Sequence, residues 1–128
     1  MITAITQGIE VSVETQYESL DSNPRERKYI WSYHITIQNH SDKTVQLKRR
    51  HWFIHDSLLG RREVKGEGVI GLQPILAPGA THSYTSWCPF NSEIGMMRGY
   101  FEMIRALDGK AFSVKVPDFT MCAPSKCN

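Results

Sequence analysis

The sequence has few cysteines, no long apolar run and no large excess of charge of one sign. No segment reaches the about 18 consecutive apolar residues that a membrane-spanning helix needs. The first six residues also lack the basic and then apolar stretches of a signal peptide. Fifteen Lys and Arg against thirteen Asp and Glu give a net charge of +2, which does not indicate a nucleic-acid partner by itself. With 41% hydrophobic and 22% charged residues, the 128-residue chain is instead typical of one folded domain.

The three cysteines, Cys88, Cys122 and Cys127, cannot all pair within the chain. The Cys122-x4-Cys127 spacing does not suit a structural zinc site, which takes four ligands and usually two short pairs. We therefore predict thiols, no metal site and a reducing, cytoplasmic location.

Alternation of apolar and polar residues dominates the chain. It extends over residues 9–17 and 29–37, as in strands with one buried face. The apolar parity shifts between Leu47 and Trp52, which predicts a β-bulge near Arg49 and Arg50. Weaker patterns predict further strands near residues 63–64, 81–87, 98–106 and 110–116.

Turn residues separate these runs, and no window has a helical stripe. Asp108-Gly109 between two alternating runs predicts a β-hairpin, because glycine adopts the positive φ of the tight hairpin turns. About seven short strands of this kind predict an all-β fold, an antiparallel β-sandwich. Residues 1–121 are expected to form one domain, and residues 122–128 a C-terminal tail.

A glycine-rich stretch, Gly66-x-Gly68-x-x-Gly71, matches the dinucleotide-binding pattern. In that pattern a helix N-terminus follows and holds the pyrophosphate. Pro74 and the missing helical stripe exclude that context here. Two interpretations remain: the glycines shape a loop between strands, or their N–H groups bind an anion together with Arg61 and Arg62.

These two arginines belong to a locally basic segment. Residues 43–65 contain seven basic and two acidic residues, a charge of +5, which leaves −3 for the rest of the chain. Solvated strands around a turn are the favoured explanation, because charge clusters usually face solvent, and an anion site is the alternative.

Neither catalytic nor metal-binding residues are predicted. His51 and His55 would lie about 13 Å apart on a strand, too far to share one ion. No serine has the G-x-S-x-G context, and Cys88 fits no nucleophile pattern. Most aromatic residues follow the apolar parity and are expected in the core. Phe53, Trp87 and Phe90 are expected to be exposed, as a partner-binding edge would require.

The chain resembles the ApaG family over nearly its whole length, up to about Met121. Four stretches carry the resemblance: Arg50–Trp52, Gly66–Gly79, Tyr84–Ser86 and Gly95–Met103. The resemblance implies a fibronectin type III-like or immunoglobulin-like sandwich. It also implies a gene neighbourhood with diadenosine tetraphosphate hydrolase and a link to cobalt and magnesium resistance or efflux. In the family's eukaryotic relatives the domain looks like a protein-interaction module, and the resemblance implies such a role here.

We therefore expect a non-enzymatic protein-interaction module with an unknown protein partner and no cofactor. We expect neither a membrane nor a nucleic-acid partner, and flat edge strands are compatible with a homodimer. A chain without a membrane segment cannot itself carry ions across a bilayer, so a metal link implies an accessory role. The alternative is a nucleotide- or pyrophosphate-binding protein that uses the Gly66–Gly71 loop, the family's proposed pyrophosphate loop, with Arg61 and Arg62.

Overall fold

A computed structural model of the chain describes residues 1–124, which form β-strands and one short 3-10 turn, Pro24–Glu26. The nine strands within these residues exceed the seven expected, because β1 and the two-residue β6 are too short or too polar to show a clear alternation. The strands are β1 (Ile2–Thr6), β2 (Ile9–Tyr17), β3 (Tyr29–Asn39), β4 (Val45–Asp56), β5 (Gly60–Glu67), β6 (Ile75–Leu76), β7 (Thr81–Phe90), β8 (Ile94–Arg105) and β9 (Ala111–Cys122).

Two antiparallel sheets pack face to face. The four-stranded sheet has the order β1-β2-β3-β7, and the five-stranded sheet has the order β5-β4-β8-β9 with β6 also paired to β4. The all-β sandwich expected from the alternation is therefore confirmed. In the part of the chain that is described, no helix is long and apolar enough to cross a membrane.

The core between the sheets is rich in aromatic rings. Trp52 meets Phe101, Phe119 and Tyr33 with ring centroids 5.7 to 6.2 Å apart. Phe90 also lies in this core with 2% of its surface exposed, so the prediction of an exposed Phe90 is wrong. Strand β7 continues through Pro89 to that residue and keeps its inward parity. Trp87 is 56% exposed, as predicted.

The β-bulge lies one residue before the predicted place. The pairing of β4 with β8 shifts register between Leu47 and Arg49, so that Lys48 is the extra residue. Beyond the bulge, Arg50 and Trp52 point between the sheets, and His51 and Phe53 point away from the core. The bulge thus sets which side chains of β4 point between the sheets and which point outwards.

The last strand closes the domain. The Asp108-Gly109 turn joins β8 to β9, with Gly109 at a φ of 67° and its N–H donated to the carbonyl of Arg105, so the predicted hairpin is confirmed. After Cys122 ends β9, the buried Ala123 donates its N–H to the carbonyl of Glu93. The predicted tail lies largely outside the described residues.

Candidate functional site

The outer face of the five-stranded sheet carries an aromatic and charged cluster, which we call the aromatic face. Five side chains from three neighbouring strands form it: His51 and Phe53 from β4, Glu63 from β5, and Arg98 and Tyr100 from β8. The antiparallel register places His51 beside Tyr100, and Phe53 between Glu63 and Arg98. Alternation directs all five side chains away from the core.

His51 is fixed at both ring nitrogens. Its Nε2 lies 2.7 Å from Glu63 Oε2, and its Nδ1 lies 2.6 Å from the Tyr100 hydroxyl. Because a carboxylate only accepts, Nε2 donates to Glu63; in the neutral ring, Nδ1 therefore accepts from Tyr100. The hydrogen bond from His51, followed by that from Lys65 at 3.3 Å, holds the pKa of Glu63 below its ordinary value. The imidazole is thus held in one orientation although it faces outwards.

Phe53 lies at the centre of the aromatic face. The His51 ring stacks on it with centroids 4.4 Å apart, and the Arg98 guanidinium lies 5.7 Å from its centroid. Two hollows of about 440 and 410 Å³ flank Phe53 and Arg98. The first is also bordered by Arg61 and Met96, and the second by Tyr100, Lys115 and Asp118. Rigid aromatic and arginine side chains beside hollows are typical of protein-binding surfaces.

The glycine-rich stretch forms a tight turn after β5, which we call the glycine turn (residues 66–72). Gly66 still belongs to β5, and a Cβ there would lie 2.7 Å from the Arg50 guanidinium. At Gly68, φ is +64° and a Cβ would meet the carbonyl oxygen of Leu72 at 2.2 Å. At Gly71 only the φ of +73° favours glycine, since nothing lies within 4 Å of an added Cβ. Each glycine therefore has a structural reason for its place.

Several N–H groups of the glycine turn are already used inside the protein. Gly68 donates to the carbonyl of Lys48, and Val69 and Leu72 donate to each other's carbonyls. Two carbonyls of the turn, those of Glu67 and Gly68, accept from Arg50 Nη1 at 3.0 Å. The turn is thus held by backbone hydrogen bonds and by one arginine.

The structure does not bring Arg61 and Arg62 to the glycine turn. Both lie near the start of β5, whereas Gly66, Gly68 and Gly71 lie at or beyond its end. The four-residue step from Arg62 to Gly66 spans about 13 Å of extended strand. Arg62 points between the sheets, where Nη2 lies 3.3 Å from the carbonyl oxygen of Pro89. Arg61 and Arg62 both border the 440 Å³ hollow beside Phe53 instead.

Ile70, at the tip of the glycine turn, has a φ of 47°, which is unfavourable for a β-branched residue. Its side chain is 61% exposed, so little apolar burial offsets this strain. We expect Ile70→Asn to raise the free energy of unfolding by about 1 kcal/mol, because asparagine tolerates the left-handed region. Urea denaturation measures this, with the similarly exposed Leu72→Asn as a control that brings no gain. A loss of stability in Ile70→Asn would contradict the strain.

The cysteines divide into two kinds. Cys88 is free and buried, and burial raises the pKa of its thiol. Cys122 is disulfide-bonded, so the prediction of a thiol is wrong at that position. An odd number of cysteines excludes pairing of all three, but it does not exclude one pair. Cys127 lies outside the described residues.

His51 and His55 both lie on β4, as the strand interpretation required. Across residues 1–124 no group of three or more His, Cys, Asp or Glu side chains is arranged to hold a metal ion.

Comparisons with known proteins agree with this architecture. A family model described as the ApaG domain matches residues 19–105. The protein ApaG of Brucella suis biovar 1 is 43% identical over 126 residues, which are 98% of this chain and 96% of that protein. The protein ApaG of Rhodospirillum centenum is 40% identical over 124 residues, 97% of this chain and 95% of the relative. The crystal structure of the ApaA protein from Bordetella pertussis has a TM-score of 0.87 at 38% identity and covers 91% of this chain and 94% of its own. The chain therefore belongs to the ApaG family.

Proposed function

We propose that this ApaG-family protein is a non-enzymatic binding module that docks an acidic segment of a partner protein on its aromatic face. One observation carries the proposal: Phe53 is held between a hydrogen-bonded imidazole and the Arg98 guanidinium, with a hollow on each side. Because two hydrogen bonds already fix His51 in the free protein, docking does not cost the conformational entropy of ordering that ring.

The charge of the aromatic face favours an acidic partner. The exposed Arg61 and Arg98 border the larger hollow. Glu63 borders it too, but its carboxylate already accepts from His51 and Lys65. Arginine binds carboxylates through two parallel hydrogen bonds, which gives direction as well as attraction. An acidic residue beside an apolar one therefore matches an arginine beside Phe53.

The non-enzymatic part of the proposal is supported by the chemistry of the reactive groups. The thiol of Cys88 is buried and its pKa is raised, whereas a nucleophilic cysteine needs a lowered pKa and access to its substrate. The hydrogen-bonded chain of Glu63, His51 and Tyr100 resembles a general-base relay. Its side chains, however, use their hydrogen-bonding groups on one another and lie on an open surface. Nucleotide binding through the glycine turn with Arg61 and Arg62 stays a prediction, which the positions of these residues do not favour.

A random peptide library displayed on phage tests this function. Selection on the immobilised protein should enrich sequences with an acidic residue beside an aromatic or aliphatic one. A synthetic peptide of an enriched sequence should bind the Phe53→Ala and Arg98→Glu variants at least about tenfold more weakly than the wild type, as expected for central interface residues. Lys110→Glu, an equal charge change in the exposed β8–β9 turn, is the matched control and should bind as the wild type does. Enrichment of basic peptides, or equal binding by Arg98→Glu, would contradict the proposal.

A further inference from the structure

A cleft of about 150 Å³ opens between the two sheets beside the glycine turn. It lies where the glycine turn, after the edge strand β5, faces Tyr84 and Ser86 of β7, the edge strand of the other sheet. Polar groups from both sheets converge in it. Its lining consists of Tyr33, Arg50, Trp52, Tyr84 and Ser86 with the turn residues Val69, Ile70 and Gly71.

Arg50 brings a positive charge into this cleft without a carboxylate partner. Within the described residues it forms no ion pair, since the four ion pairs there involve other cations. Its Nη1 is occupied by the carbonyls of Glu67 and Gly68. The guanidinium packs flat against Gly66, where a Cβ would clash with it. An arginine has five N–H donors, so Nε and Nη2 remain to donate to a further acceptor.

The tyrosines of the cleft add hydroxyl donors. The Tyr84 hydroxyl is buried and has no hydrogen-bond partner among the described residues. Burial raises the pKa of Tyr84 well above its ordinary value, and it also raises that of Tyr33, against a smaller opposing effect of a hydrogen bond with Ser86. Both phenols are therefore neutral and able to donate. Leaving a buried hydroxyl unpaired is costly, which makes an acceptor in the cleft favourable.

We infer that this cleft binds a phosphate group, held by Arg50 with the hydroxyls of Tyr84 and Tyr33, while Ser86 donates its hydroxyl to Tyr33. A site with one cation, three hydroxyls and no carboxylate in its lining complements a small anion with several acceptor oxygens. The walls formed by Trp52 and Val69 are apolar and leave the anion little competing water. The glycine turn acts here as a wall, and its N–H groups are not the main donors. This site is separate from the aromatic face and would exist whether or not the protein docks a partner there.

NMR titration of the isotope-labelled full chain with inorganic phosphate tests the site. At constant ionic strength, we expect saturable shifts of the amides of Ile70, Gly71 and Ser86 and of the Arg50 Nε–H signal at millimolar phosphate. Pyrophosphate should shift the same signals, and acetate, with fewer acceptor oxygens, should bind more weakly. Absence of saturable shifts at these signals would overturn the inference. Equal affinity for acetate would overturn the assignment to phosphate.

Tyr84→Phe separates binding from folding, because it removes only the unpaired hydroxyl. We expect phosphate to bind this variant about tenfold more weakly, the loss of one hydrogen bond to a charged acceptor. The ligand-free variant should be at least as stable as the wild type, since a buried unpaired group has been removed. Tyr17→Phe, at a tyrosine that packs on Trp31 away from the cleft, is the matched control and should bind phosphate normally. Unchanged affinity in Tyr84→Phe would overturn the inference.

Discussion

Replacing Gly68 by alanine is expected to lower the free energy of unfolding by about 3 to 4 kcal/mol, which combines overpacking with an unfavourable φ. The added Cβ would lie 2.2 Å from the carbonyl oxygen of Leu72, and backbone atoms cannot give way as a flexible side chain can. The φ of +64° adds the cost of a left-handed alanine. Equilibrium urea denaturation measures the change, provided that the unfolding free energy depends equally steeply on urea concentration in the wild type and the variant.

Gly71→Ala in the same turn is the matched control for this prediction. Its φ of +73° is similar, but nothing lies within 4 Å of the added Cβ. We therefore expect a loss of only about 1 to 2 kcal/mol, the conformational cost alone. Equal losses at the two positions would contradict the close contact of Gly68 with Leu72.

Replacing Asp56 by asparagine is expected to cost about 2 to 3 kcal/mol, since hydrogen bonds to a buried charged group are strong. Asp56 is 7% exposed at the end of β4. Its Oδ1 accepts from the N–H of Leu58 and from the Ser92 hydroxyl, and its Oδ2 accepts from the N–H of Asn91 at 2.7 Å. One carboxylate thus joins the β4–β5 turn to the β7–β8 turn. An amide offers a single acceptor oxygen and places two donors against existing donors.

The effect of Asp56→Asn should depend on pH. Burial by itself would raise the pKa of Asp56, but the hydrogen bonds from Asn91, Ser92, Leu58 and Leu59 together hold it below its ordinary value. A lowered folded-state pKa gives stability that is complete above the unfolded-state pKa and is lost as the pH falls through the folded-state value. The difference between wild type and variant should therefore be constant near neutral pH and shrink below about pH 4. A difference that grows on acidification would contradict these hydrogen bonds.

Local patterns in the sequence predict much of the fold. Alternation identifies the inward residues of β2 and β3, the parity shift near Leu47 locates the bulge to within a residue, and Asp108-Gly109 predicts the last hairpin. Strand ends were less visible. Strand β7 continues through Pro89, which an edge strand tolerates, and so Phe90 is buried.

The candidate sites depend on contacts that one sequence does not reveal. Arg61 and Arg62 are close to the glycine turn in sequence. They lie near the start of the eight-residue strand β5, and the turn lies at its other end, so the extended strand holds them apart. Arg50 meets Tyr84 only because two sheets pack together. The link from Glu63 through His51 to Tyr100 depends on the register of three strands. In each case the residue types were visible in the sequence and their partners were not.

The aromatic face is tested most directly by mapping where a selected peptide binds. An acidic peptide from the phage selection would be titrated into the isotope-labelled protein, and the amide shifts followed by NMR. We predict saturable shifts centred on Phe53, Arg98 and Tyr100. The peptide should cause no such shifts in Phe53→Ala, whose amide signals away from the substitution should match those of the wild type. Shifts confined to the glycine turn or to β7, or shifts that persist unchanged in Phe53→Ala, would contradict a docking function for the aromatic face.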